Sequence, residues 1–180
     1  MIAESELILN PDGSIYHLAL RPEEIAERII TVGDPDRVAK VSRYFDKIDV
    51  KKQHREFVTH TGWLGERRIS VISTGIGTDN IDIVLNEIDA LSNVDFNKRE
   101  IKSTHNSLTI IRLGTSGSIQ PDIPVDSILV SKSAFGLDGL LHFYQNDFSE
   151  NDLTAALTGE WPVDGKAAAE KIRAKAAQAG

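Results

Sequence analysis

Short β-branched runs alternating with helix-periodic segments place this chain in the α/β class, as a sheet covered by helices. The strand-like runs are Arg28–Val32 (RIITV), Glu56–Leu64, Arg67–Thr74, Thr109–Leu113 (TIIRL) and Ser127–Ser131. The helical spacing is carried by Val38, Val41 and Phe45 within Asp36–Phe45, and by Ile81, Val84, Leu85, Ile88 and Leu91 within Asn80–Leu91. With 180 residues, 41% of them hydrophobic, the chain is long enough for one domain with its own core.

The elements follow in order. Residues 1–16 read as an arm that ends in the turn sequence Asn10-Pro11-Asp12-Gly13. Pro22 before EEIAER predicts a short helix with Pro at its first position. The RIITV strand stops at Gly33-Asp34-Pro35, a tight loop, and the Asp36–Phe45 helix follows. Glu56–Leu64 and Arg67–Thr74 flank a Gly65 turn and predict a hairpin. The two later strands, Thr109–Leu113 and Ser127–Ser131, read as buried. Asp164–Ala179 has strong helix propensity and an Asp164 cap, yet Ile172 is its one large apolar side chain. Such a helix is either a tail or one whose packing surface lies elsewhere.

Composition removes several function classes. There are 20 Lys+Arg against 27 Asp+Glu, a formal charge of −7, which argues against a general nucleic-acid binder while allowing a local arginine cluster. No cysteine is present, so disulfide scaffolds, Cys-ligated zinc and thiol catalysis are excluded. No run approaches the ~18 apolar residues of a membrane span. The opening MIAESELILNPDG lacks the basic start and apolar stretch of a secretory signal. A soluble, cytoplasmic protein with no membrane partner is expected.

Three glycine-bearing loops each follow a strand: Gly33–Arg37, Ser73–Asn80 and Arg112–Ser118. In an open α/β sheet ligands bind beyond the carboxyl ends of strands, where glycines let the backbone approach an anion and hydroxyls such as those of Thr115, Ser116 and Ser118 add donors. Turn chemistry alone also explains glycines there. Arg37, Arg55 and Arg112 sharpen the anion reading, because guanidinium forks match phosphate oxygens. The competing reading pairs Arg112 with a carboxylate such as Asp34 or Asp36. A dinucleotide site fits poorly: Gly75-Ile76-Gly77 is followed by Asn80 where a third glycine belongs, although Asp95 is spaced for a ribose.

Histidines at 17, 54, 60, 105 and 142 show no metal-ligand spacing and read as structural or surface groups, His17 apart. Trp63 and Trp161 read as packing residues, and Lys51-Lys52 and Arg67-Arg68 as solvated faces.

Together the motifs resemble the nucleoside phosphorylase superfamily, in its uridine phosphorylase branch. The matching segments are Tyr16–Leu20, Val32–Val38, His54-Arg55-Glu56-Phe57, Ser73–Gly77, Ile111–Gln120 and Leu137-Asp138-Gly139 with His142-Phe143. The resemblance implies a mixed central β-sheet flanked by helices, a three-layer sandwich occupying residues 1–180 as a single domain, with 146–180 poorly matched. It implies phosphorolysis of uridine or a related nucleoside, with Arg112 and Arg37 catalytic. Gly33, Arg37, Arg55, Arg112 and Thr115 would bind phosphate, Arg55 acting across a dimer interface. His17, Gly114 and Thr115 would bind the nucleoside, His17 reaching the ribose 5′-hydroxyl of the adjacent subunit. No cofactor is implied beyond the co-substrate phosphate. A monovalent cation such as K+ would sit between subunits at Glu56, Ile76 and Asn80, where relatives often carry Ser in place of Asn80. The implied partners are nucleoside, inorganic phosphate and further copies of the chain, in a homo-oligomer built from dimers, with a hexamer as one arrangement.

Related nucleosidases use water and do not need the arginines, so the arginine cluster favours phosphorolysis. The resemblance also implies two later segments, a Gln/Arg pair that reads the base and a Met-Glu segment that binds the ribose hydroxyls. Neither is found between Tyr144 and Gly180; Glu150, Glu160 and Glu170 lack the expected surroundings. The chain is therefore expected to hold the phosphate half of a site and to be incomplete at its C-terminus. A non-catalytic phosphate-binding or oligomerisation module is the alternative to an enzyme.

Overall fold

Alternation along the strands of the sheet decides where the helices lie. A computed structural model of the chain describes residues 1–131 and 139–144. Its contacts divide it into two compact units, Met1–Thr115 and Ser116–Gly180. The first unit holds a five-stranded sheet. Strand β1 (Arg28–Val32) is followed by helix α1 (Asp36–Ser42) and strands β2 (Lys47–His54), β3 (Phe57–Leu64) and β4 (Arg67–Ser73). Helix α2 (Thr78–Asn93), a two-residue pair β5 (Val94–Asp95) and β6 (Glu100–Ile101), and strand β7 (Thr109–Leu113) complete it. The strand order is β2-β3-β4-β1-β7. β1 runs parallel to both β4 and β7, whereas β2–β3 and β3–β4 are antiparallel. The sheet is therefore mixed, as expected.

Successive residues of a strand face opposite sides. Ile29 and Ile72 point to one side, where they meet Phe57, Val84, Ile88 and Leu91 of α2, and Leu7, Ile15, Leu18 and Leu20 of the N-terminal arm. Val32 and Val71 point to the other, where Val38 of α1 covers them. One face thus carries α2 and the arm, the other carries α1. Each fully buried Ile or Leu contributes about 1.5–3 kcal/mol of transfer free energy, so the arm is part of the core. Its turn closes through Asp12, whose Oδ1 accepts from Ser14 N (3.0 Å) and Oγ (2.6 Å). Those hydrogen bonds hold the Asp12 carboxyl below the usual carboxylate range.

Several expectations need correction. Pro22 opens only one 3-10 turn, Pro22–Glu24. Arg68 donates to the carbonyls of Glu23 and Ile25, and Ala26 N–H to Ser70 Oγ, which draws the next residues out straight. Arg68 is therefore not a solvated charge. Nor is Lys52, which donates to Ala19 O at 2.9 Å and pairs with Glu24 at 2.7 Å. Both basic residues spend their donors tying the arm to the sheet. The α1 helix stops at Ser42, short of Phe45. Leu85 of α2 faces outward.

Strand β2 escaped the sequence reading because charge masks its pattern: Lys47, Asp49, Lys51 and Gln53 alternate with Ile48, Val50, Lys52 and His54. It is the outer strand beside β3, where exposed charges suit an edge. Trp63 is not a buried packing residue; it is 36% exposed, and its indole N–H donates to Asp49 at 2.6 Å. Strand β7 is present, but all five residues are exposed rather than buried. Among the described residues it forms the other edge of the sheet, paired with β1 alone.

In the second unit Ser127–Ser131 is not a strand. Ser127 folds back on Pro124 O through its N–H (3.3 Å) and Oγ (2.7 Å), which makes a turn. Leu140–Phe143 is a 3-10 turn. The expected Asp164–Ala179 helix, Trp161, Leu137 and Asp138 lie outside the described residues.

Candidate functional site

The register of the parallel strands brings the glycine loops together. Val32 of β1 is level with Ser73 of β4 and Leu113 of β7. Gly33, Thr74 and Gly114 therefore leave the sheet side by side at one edge. β3 runs antiparallel to β4, so its first residue, Phe57, and the Arg55-Glu56 turn before it lie at that same edge. Ser73 Oγ stitches the two parts, donating to Glu56 O at 3.0 Å and accepting from Val58 N at 2.7 Å.

Above β1, Arg112 Nη1 lies 3.5 Å from Thr74 Oγ1. Its Nη2 would lie 3.5 Å from a Cβ placed on Gly33, and the same Cβ would come within 3.1 Å of Ile76 Cγ2. Gly33 is thus a close-approach position. Arg37, on the first turn of α1, puts Nη2 3.4 Å from Thr115 Oγ1. Gly114 is open, with nothing within 4 Å of where a Cβ would stand. Gly33, Arg37, Arg112 and Thr115 are thus brought to one edge, with Thr74 added.

The carboxylates proposed to neutralise Arg112 do not do so. Asp34 instead accepts from Asp36 N at 2.9 Å and organises the turn. Among the described residues no ion pair involves Arg37, Arg55 or Arg112. Their contacts are few and long, which leaves most guanidinium donors available to an anion.

Arg55 does not join this group within one chain, and it does not lie in a strand. It occupies the tight turn between β2 and β3 with φ 53°, a left-handed conformation costly for a residue with a Cβ. Its Nη2 donates to Tyr16 Oη at 3.2 Å, and the guanidinium lies over the Tyr16 ring at 5.4 Å. That places it beside His17. The His17 Nδ1 is 2.7 Å from Glu87 Oε1. Glu87 also accepts from the backbone N–H of His17 (2.9 Å) and of Leu18 (2.8 Å). His54 Nδ1 lies 3.0 Å from His17 O, and the edges of Tyr16 and Phe57 pack on the His17 ring.

Glu87 is the residue that the sequence reading missed. It sits on the buried stripe of α2 between Val84 and Leu91. A lone acid on an apolar helix face is expensive unless paired, and that is the signal that would have found it.

The Gly75 loop is shaped by Asn80. Gly75 has φ 65°, and a Cβ there would fall 2.9 Å from Asn80 Nδ2. Asp95 caps Asn97 and Lys98 in the β5–β6 turn, so it serves no ribose beside Gly75. Ile76 is 85% exposed on this loop, and Glu56 keeps to the Arg55-Glu56 turn. A Glu56 carboxylate, Ile76 carbonyl and Asn80 amide oxygen would be oxygen donors of the kind a hard cation takes.

Comparison with known proteins is consistent with this arrangement. The family model described as the phosphorylase superfamily matches residues 27–180. The uridine phosphorylase of Thermococcus kodakarensis is 35% identical over 128 residues, covering 71% of this chain and 41% of that protein. The Escherichia coli uridine phosphorylase is 35% identical over 139 residues, covering 76% and 49%. Among solved structures, a Trypanosoma brucei nucleoside phosphorylase reported to show uridine phosphorylase activity aligns with TM-score 0.60 and 41% identity, over 66% of this chain and 41% of that one. A uridine phosphorylase of the oomycete Phytophthora capsici aligns at TM-score 0.54 and 29% identity, over 64% and 36%. The chain thus spans less than half the length of these relatives. With a family model matching most of its length, this chain belongs to the phosphorylase superfamily.

Proposed function

We propose that this chain carries the phosphate-binding half of a nucleoside phosphorylase site that cleaves uridine or a related nucleoside to base and pentose 1-phosphate. The observation that carries the reading is the meeting of Arg37, Arg112, Gly33 and Thr115 at one sheet edge, with no described carboxylate paired to either arginine.

In this reading Arg112 and Arg37 grip inorganic phosphate and the Gly33 backbone approaches it. The dianion stands beside C1′ as the bond to the base breaks. Positive charge develops on the ribose as in an oxocarbenium ion, and the phosphate both stabilises and captures it. Arginines fixed before the reaction supply position and electrostatic stabilisation without rearranging water. Gly114 and Thr115 line the nucleoside. Arg55 and His17, held together on the neighbouring patch, serve the site of a second copy: Arg55 meets its phosphate, His17 its ribose 5′-hydroxyl. A monovalent cation at Glu56, Ile76 and Asn80 strengthens that contact. The setting this reading implies is nucleoside salvage in the cytoplasm by a homo-oligomer.

The test is uracil release from uridine with and without phosphate. Release that requires phosphate supports phosphorolysis. Phosphate-independent release means a nucleosidase, and a chain that binds no phosphate by calorimetry holds no such half-site; either overturns the proposal. Sedimentation in K+ and in choline buffers reads oligomer and cation dependence separately.

A further inference from the structure

Most of the hydrogen bonds around His17 come from one residue. Glu87 accepts from His17 N, from Leu18 N and faces His17 Nδ1, at 2.9, 2.8 and 2.7 Å. Two of those neighbours are N–H groups and can only donate. A carboxylate that already accepts them at both oxygens has no proton to offer the ring. Nδ1 must therefore carry a hydrogen, and in the neutral ring Nε2 does not. Among the described residues nothing bonds Nε2. Turning the ring over would forfeit the 2.7 Å contact of Nδ1 with Glu87, while the Tyr16 and Phe57 rings lie near-perpendicular to it at 81° and 84°. His54 fixes the His17 carbonyl as well.

We propose that Glu87 is a positioning residue that locks the His17 imidazole in the Nδ1–H tautomer and leaves Nε2 as a hydrogen-bond acceptor. Glu87 touches no substrate; it acts through His17. The orientation has a consequence for specificity, which rests on the reading that His17 serves a ribose 5′-hydroxyl. An acceptor Nε2 takes a hydrogen bond from that hydroxyl. The site then selects for a 5′ donor and against a 5′ substituent that only accepts, such as an ether or a fluorine. The same carboxylate pins the backbone at residues 17 and 18, so ring and main chain are held as one piece.

The deciding measurement is 15N NMR of the histidine rings at neutral pH in the full chain, with His17 assigned by its loss in His17→Gln. Wild type is expected to show Nδ1 protonated and Nε2 unprotonated; the reverse pattern overturns the proposal without any variant. Glu87→Gln presents an amide N–H in place of one oxygen and is expected to move the His17 ring out of the Nδ1–H form. Unchanged His17 shifts in a folded Glu87→Gln protein also overturn it. Glu87→Asp, which withdraws the carboxylate but keeps its charge, is expected to show an intermediate ring signature. A kinetic arm reads the consequence. The preference for uridine over 5′-deoxyuridine is expected to fall roughly tenfold in Glu87→Gln, the worth of one hydrogen bond, with phosphate KM unchanged. A wild-type chain with the Nδ1–H signature but no phosphate binding would sink the functional reading and leave the tautomer lock standing.

Discussion

Two patches share one sheet edge and differ in how tightly they are held. Around Gly33, the Arg37 and Arg112 contacts are long, at 3.4 and 3.5 Å, and no described acid balances the charge. Around His17, contacts run from 2.7 to 3.2 Å and a buried carboxylate sits at the centre. A site that must receive an anion keeps its donors unspent, because each donor spent on the protein would have to be broken free. A patch that must deliver a side chain elsewhere gains from having that side chain fixed beforehand. Under the proposed function, the difference is that between a receiving surface and a presenting one.

Substitutions can break the contrast on either side. The largest effect is expected from Arg112→Ala. It removes charge-assisted hydrogen bonds worth about 1.5–3 kcal/mol each, so phosphate affinity by calorimetry is expected to fall roughly a hundredfold with little change in Tm. Unaltered affinity would show that the receiving patch lies elsewhere.

Gly33→Ala is a finer probe of the same patch. The new methyl would press on Ile76 and fill the space beside Arg112 where an anion would approach the Gly33 backbone. Ile76, at 3.1 Å, must give by a few tenths of an ångström, whereas Arg112 Nη2, at 3.5 Å, is met at ordinary contact and loses the open space between it and the Gly33 backbone. Phosphate affinity is expected to drop about tenfold, with stability changed by less than about 1 kcal/mol.

Arg55→Gly and Arg55→Ala sharpen the presenting side. Both delete the charge, but only glycine tolerates φ 53°. Arg55→Gly is expected to be more stable than Arg55→Ala by about 1 kcal/mol in denaturant unfolding. Equal stabilities would mean the turn carries no strain and Arg55 is not held there against a cost.

The smallest effect concerns His60, which lies on the α1 face of the sheet and belongs to neither patch. Its Nδ1 is 2.7 Å from Ser42 Oγ. Burial, helped by Lys51, lowers its pKa from the ordinary value. The unfolded chain therefore binds the proton more readily than the folded one. This contribution is fully present above the unfolded pKa of about 6.5 and is lost as pH falls from there through the lower folded value. His60→Gln is expected to flatten the decline in stability between about pH 7 and 5; an unchanged slope would assign that decline to other groups.

How much was legible in the residues differs by element. RIITV was read with its true ends because five residues bounded by a Gly-Asp-Pro turn leave little choice. The β3–β4 hairpin was legible from two apolar runs around Gly65. β2 was not, because an edge strand can carry charge on one side, and its alternation looks like solvated chain until β3 pairs with it. Lys52 and Arg68 looked like surface charges, since nothing local shows that the arm's carbonyls lie within reach. Ser127–Ser131 has strand-forming residues, but propensity yields to the turn on Pro124.

The candidate site divides in the same way. Residue types and their order alone determined the glycine loops, the arginines and the family they resemble, because turn conformation and anion chemistry are local properties of those side chains. Only the tertiary structure decided which arginines stand over the same strand ends. Parallel register sets Gly33, Thr74 and Gly114 level, and the left-handed turn sends Arg55 to Tyr16. It alone brought Glu87 to His17 across 70 positions of chain. Such a pairing leaves no pattern in either neighbourhood, because it arises from packing the arm against α2.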